Sequence, residues 1–186
     1  MAKILIFLFF ISCLTAQDEA FKVKSFKEIR TKDTILQGYE ESCGASALAT
    51  IMNFYGNSYT EEDIIDAIRK TDMLNFNEMA NIARRMNFEA GGFKIDKDIF
   101  NNLEIPVIAR VDNRENYAHF VVVQNHNGDF VSVFDPNSGY YIQSKKDFFD
   151  LWVEEDNGYI LIVKPVKSDK LPNINLNIPN RNLFIK

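Results

Sequence analysis

The spacing of apolar residues changes period near the middle of the chain, and that change sets the fold class. Leu48, Ile51, Met52 and Tyr55 recur at three- and four-residue intervals and predict a helix over 43–55, with Ser42 as its N-cap and Gly56 as its stop. A second helix is expected from Thr60, where acidic residues 61–63 complement the helix dipole and Ile64, Ile65 and Ile68 supply the apolar face. A third covers 77–86, with Met79, Ile82, Ala83 and Met86 on one side. Beyond residue 105 the pattern becomes strand-like, over 105–111, 118–124, 130–134 and 140–143. A short helix at 145–152 and a last strand at 159–163 follow. Asn127-Gly128-Asp129 and Asp135-Pro136-Asn137-Ser138-Gly139 are turn signals between strands. Helices first and hairpin-linked strands afterwards imply an α+β fold with an antiparallel sheet, not alternating βα units.

The ends read differently from this middle. Lys3, the apolar run from Ile4 to Ile11 and the small or polar residues after it resemble a secretory signal peptide over 1–16. The run is far short of the roughly 20 residues of a membrane-spanning helix. The segment before Cys13 is a poor match to a lipoprotein signal. The expected product is exported, periplasmic or extracellular, with no membrane span after signal removal. Residues 17–33 are charged and read as a surface arm or short edge strand anchored by Phe21, Val23 and Phe26. Residues 34–165 form the expected single domain, and 166–186 an Asn- and Pro-rich tail. A net charge of −5 lacks the basic footprint of a nucleic-acid binder.

Loss of 1–16 removes Cys13 and leaves Cys43 without a disulfide partner. Cys43 falls in the first turn of a predicted helix, where free N–H groups and the dipole favour a thiolate. Gly44 beside it leaves room for a substrate backbone. Two histidines could serve as base. His119 stands at the mouth of an apolar strand, whereas His126 lies between two asparagines in an expected solvated turn. His119 is the better partner. Asp135, sixteen residues on, closes the next strand and can orient the imidazole. Gln37, six residues before Cys43, can donate to an oxyanion.

Each residue also has a plainer reading. Cys43 could be a small buried hydrophobe, His119 a core residue and Asp135 a turn starter. Glu40-Glu41 and Glu61-Glu62-Asp63 read as solvated helix starts, and 112–115 as a solvated turn. Two histidines seven apart do not make a zinc motif, and no metal or cofactor is expected.

The stretch Leu36-Gln37-Gly38-Tyr39-Glu40-Glu41-Ser42-Cys43-Gly44 through Ala49, followed by Tyr55-Gly56, resembles the cysteine motif of the C39 peptidases. These are bacteriocin-processing, double-glycine peptidases with a papain-like fold. His119-Phe120-Val121-Val122-Val123 and Asp135-Pro136-Asn137-Ser138-Gly139 are similar to the family's histidine and aspartate motifs. The resemblance covers roughly 34–165. It implies an N-terminal helical layer with the cysteine at a helix start, packed on a sheet carrying histidine and aspartate. It also implies Cys43 as nucleophile, His119 as base, Asp135 as orienter and Gln37 in the oxyanion hole. The implied substrate is a polypeptide, such as a leader peptide, cut after a Gly-Gly-like site. This chain departs from exporter-fused members in having no transporter region or nucleotide-binding motif, and has Ser42 where many carry an acid. Two other classes fit the same residues: a non-catalytic peptide-binding accessory of a secretion or pilus system, and thiol-based acyl transfer such as transamidation or deamidation. The oligomeric state is left open.

Overall fold

A computed structural model describes residues 23–69, 72–112, 118–126 and 128–166. The expected signal peptide, Phe21 and nearly all of the tail lie outside the described residues.

Six strands form one antiparallel sheet: β1 (Phe88–Asp96), β2 (Val107–Asp112), β3 (Ala118–Asn125), β4 (Phe130–Asp135), β5 (Gly139–Ser144) and β6 (Asn157–Pro165), in the order β1-β6-β2-β3-β4-β5. The helices are α1 (Phe26–Thr31), α2 (Cys43–Asn53), α3 (Glu61–Ile68), α4 (Phe76–Arg85), α5 (Lys97–Asn101) and α6 (Lys145–Trp152). The α+β expectation holds.

The sheet is covered on both faces, which explains why β3 reads as an unbroken apolar run. Phe120 and Val122 join the core under α2, α3 and α4, with Leu48, Ile51 and Met79. Val121 and Val123 point the other way, into a second core built on Phe100, Phe148 and Trp152. There the rings of Phe148 and Trp152 stack with centroids 5.7 Å apart, and Phe100 lies 4.9 Å from Trp152. Helix α2 is the most deeply embedded element, buried from Cys43 through Met52. Its alanines and Gly44 let it lie close to the sheet. A Cβ at Gly44 would meet the Leu74 Cβ at 3.1 Å, so that glycine lets the helix pack closely.

Several elements differ from expectation. Residues 26–31 are a helical turn, closed by a capping box between Ser25 and Glu28, rather than an edge strand. Val23 and Phe26 are 77% and 73% exposed, so they anchor nothing among the described residues. Strand β1 and helix α5 were not anticipated. Ser42 precedes α2 but makes no side-chain cap; its hydroxyl donates to the Tyr39 carbonyl at 2.7 Å instead. Gly56 does end the turn after α2, at φ +89°.

Candidate active site

Cys43 is the first residue of α2, a free thiol 4% exposed. His119 is the second residue of β3, paired in register with Val111. The β3–β4 register pairs Val122 with Phe134. Continued by one step, it sets Asp135 opposite Val121, diagonally across from His119 on the same face. Their side chains meet there: His119 Nε2 lies 2.8 Å from Asp135 Oδ1. Cys43 acts on the same ring, helping with Asp135 to raise its pKa.

Electrostatics follow from this cluster. Burial pulls the His119 pKa down, but hydrogen bonds to Asp135 and Cys43 and their negative charge outweigh it and hold the pKa at about 9. Burial likewise pushes Asp135 up. Its bonds to His119 and Ser138, the imidazolium charge and the Asn137 N–H reverse that and leave it below the usual carboxylate value. Ser138 Oγ donates to Asp135 Oδ2 at 2.6 Å and the Asn137 N–H to Oδ1 at 2.8 Å, so the Asp-Pro turn grips its own carboxylate. Tyr141 lies nearby, its phenol pushed up to about 12 by burial and by the Asp135 charge. His119, Asp135, Tyr141 and Gln143 line a cavity of about 320 Å³. A separate apolar cavity of about 280 Å³ is lined by Leu74, Phe76, Ala118 and Phe120.

Gln37 is held close to the aspartate turn, its backbone N–H donating to the Pro136 carbonyl at 2.9 Å. Its side-chain amide donates to the Tyr39 and Glu40 carbonyls, each at 3.0 Å, while Oε1 is buried without a partner. His119 and Asp135 are therefore brought into contact, whereas the Gln37 donors are turned onto their own loop.

Two expectations about other residues fail. His126 is buried, not solvated, and its Nε2 lies 2.9 Å from Ser132 Oγ. Burial, then the Lys145 charge, lowers its pKa, the opposite of His119. Glu61 is buried too, because both its oxygens accept the Gly38 N–H. Glu40 and Glu41 are exposed, as expected; of 112–115 only Asp112 is described. Ser138, Tyr141 and Glu61 were missed as site neighbours. Ser138 and its bond to Asp135 could have been found, since Asp followed three residues later by Ser is a side-chain turn pattern. Among the described residues no group of three or more His, Cys, Asp or Glu is placed to hold a metal. Nor is any helix among them long and apolar enough to cross a membrane.

The sequence model of the Peptidase C39 family matches residues 31–168. The chain is 32% identical over 151 residues to the "Probable functional amyloid protease FapD" of Pseudomonas aeruginosa, covering 76% of this chain and 65% of that protein. For the protein of the same name from Pseudomonas fluorescens the identity is 33% over 159 residues, with 80% and 68% covered. The chain thus spans about two thirds of the length of these relatives. The peptidase domain of Streptococcus ComA, a bi-functional ABC transporter, superposes with a TM-score of 0.63 at 22% identity, covering 71% of this chain and 97% of that one. A double glycine motif protease from an AMS/PCAT transporter, solved with its leader peptide, superposes at 0.61 with 25% identity, covering 71% and 90%.

Proposed function

The chain belongs to the peptidase C39 family, and on that premise we propose that it is an exported cysteine peptidase acting through Cys43, His119 and Asp135. The observation that carries the reading is the 2.8 Å contact between His119 Nε2 and Asp135 Oδ1, on a ring whose pKa Cys43 helps to raise. Asp135 fixes the tautomer and steadies the imidazolium. His119 takes the Cys43 proton, and the sulfur attacks the peptide carbonyl carbon. The oxyanion is held by the Cys43 backbone N–H and by one Gln37 N–H, released from the Glu40 carbonyl as substrate binds. The intermediate collapses with the C–N bond breaking, and the imidazolium protonates the leaving amine. Water, deprotonated by His119, then attacks the thioester and frees the acid.

The substrate is a polypeptide cut after a Gly-Gly-like site. This follows from likeness to a double glycine motif protease solved with a leader peptide. Likeness to the FapD proteases points to a polypeptide of a functional amyloid system. Export is carried by residues 1–16, whose basic start and short apolar run have the form of a signal peptide.

One observation favours a second reading. With both Gln37 amide hydrogens on loop carbonyls, the same cleft could hold an extended peptide without cutting it. Cys43→Ala separates the two. An enzyme loses turnover of a Gly-Gly peptide in this variant but still binds it. Full biological activity of the variant would make the protein a binding module.

A further inference from the structure

Glu61 opens α3, a position where a carboxylate normally faces water, yet it is 4% exposed. Taking a carboxylate out of water is costly unless its lone pairs find donors. Among the described residues no lysine or arginine is paired with it. What it receives is one backbone N–H, that of Gly38, shared between its two oxygens at 3.0 and 2.9 Å. Gly38 is shaped for this approach, since a Cβ there would meet Glu61 Oε2 at 2.9 Å.

Gly38 directly follows Gln37. The Gln37 N–H is tied to the Pro136 carbonyl, one residue past Asp135. The backbone of residues 37–38 is therefore held on one side by the turn that carries Asp135 and on the other by the first turn of α3. Helix α3 is itself fixed in the core through Ile64. The loop beyond is exposed from Gly38 to Glu41, so these two ties and the Tyr39–Ser42 bonds determine where the Gln37 amide stands.

We infer that Glu61 is a positioning residue for the oxyanion hole, its carboxylate fixing the Gly38 N–H and through it the place of the Gln37 side chain. The inference rests on the reading of Gln37 as oxyanion donor. Glu61 touches neither substrate nor Cys43 and acts only through this loop. Displacing an oxyanion donor by a fraction of an ångström weakens transition-state binding more than ground-state binding.

The test uses the full chain, a synthetic peptide with an internal Gly-Gly, and iodoacetamide at one fixed pH. Glu61→Ala is expected to lower kcat at least about tenfold with KM within about twofold of wild type. Its rate of Cys43 alkylation should be unchanged, because alkylation at an sp³ carbon forms no oxyanion. Glu61→Gln keeps a carbonyl oxygen as acceptor and should recover most of kcat. If circular dichroism shows that Glu61→Ala does not fold, Gly38→Ala disturbs the same contact from the loop side and should give the same split. Wild-type kcat in the folded variants overturns the inference, as does equal loss of alkylation and turnover, which marks general damage. A wild-type protein that leaves the peptide uncut, or a Gln37→Ala variant that cuts at the wild-type rate, removes the underlying reading as well.

Discussion

His119 and Asp135, sixteen residues apart in the chain, meet at 2.8 Å because a hairpin sets their strands side by side in a register that makes them diagonal neighbours. Asp135→Asn keeps the shape and removes the charge. Turnover of a Gly-Gly peptide should fall by about 10² to 10⁴, as expected when an imidazole loses its orienting anion. Stopped assays with the folded variant check this, and an unchanged kcat would place the acid elsewhere.

The pH dependence follows from the same pair. His119 is raised from the ordinary 6.5 to about 9, so the native state holds this proton more tightly than the unfolded chain does. The stability it contributes is complete below pH 6.5 and is lost as pH rises through about 9. The urea midpoint should decline over that window, and the decline should vanish in His119→Gln. The imidazolium that protonates the leaving amine is lost over the same range, so kcat/KM should show an alkaline limb near 9. In Asp135→Asn that limb should move to lower pH.

His126 gives the opposite sign. Its pKa is lowered by burial and by Lys145, and its ring faces Ser132, which in turn meets the Tyr140 hydroxyl. Its contribution is intact above pH 6.5 and is lost as pH falls below that value, where the unfolded chain takes up the proton. Replacement by Gln should flatten the acid limb of the stability curve while leaving kcat at neutral pH unchanged.

Two glycines separate stability from activity. Gly139 sits at φ +82°, and a Cβ there would strike the Arg30 carbonyl oxygen of α1, displacing the turn that carries Asp135 and Ser138. Gly139→Ala should lose on the order of 2 kcal/mol and also lower kcat. A Cβ on Gly158 would overlap the Trp152 indole in the second core. Gly158→Ala should cost up to about 3 kcal/mol in thermal unfolding, with kcat per folded molecule preserved.

The elements legible in the sequence were those whose own apolar spacing sufficed. Helices α2, α3 and α4 each carry a full stripe, and β3 and β4 are nearly continuous apolar runs because both sheet faces are covered. Strand β1 was invisible, since Gly91-Gly92 interrupts it and Phe93 and Lys94 are exposed. Its pairing with β6, from Phe88 opposite Pro165 to Asp96 opposite Asn157, makes it a strand. At the site, Cys43 and His119 could be singled out because the chain has only two cysteines and two histidines, whereas Asp135, one of many aspartates, was reached from its place at the end of the next strand, just before Pro136. Glu61 and His126 were misread because their burial depends on contacts with Gly38 and Ser132 that no local pattern encodes.

The central claim, that Cys43 forms an acyl-enzyme with a peptide, is tested most directly by intact-protein mass spectrometry of acid-quenched reactions with a Gly-Gly peptide. Wild-type protein should carry the N-terminal product as a thioester that maps to Cys43 and is released by hydroxylamine, and Cys43→Ala should carry none and cut nothing. Cleavage by Cys43→Ala, or cleavage by wild type with the adduct on another residue, would contradict it.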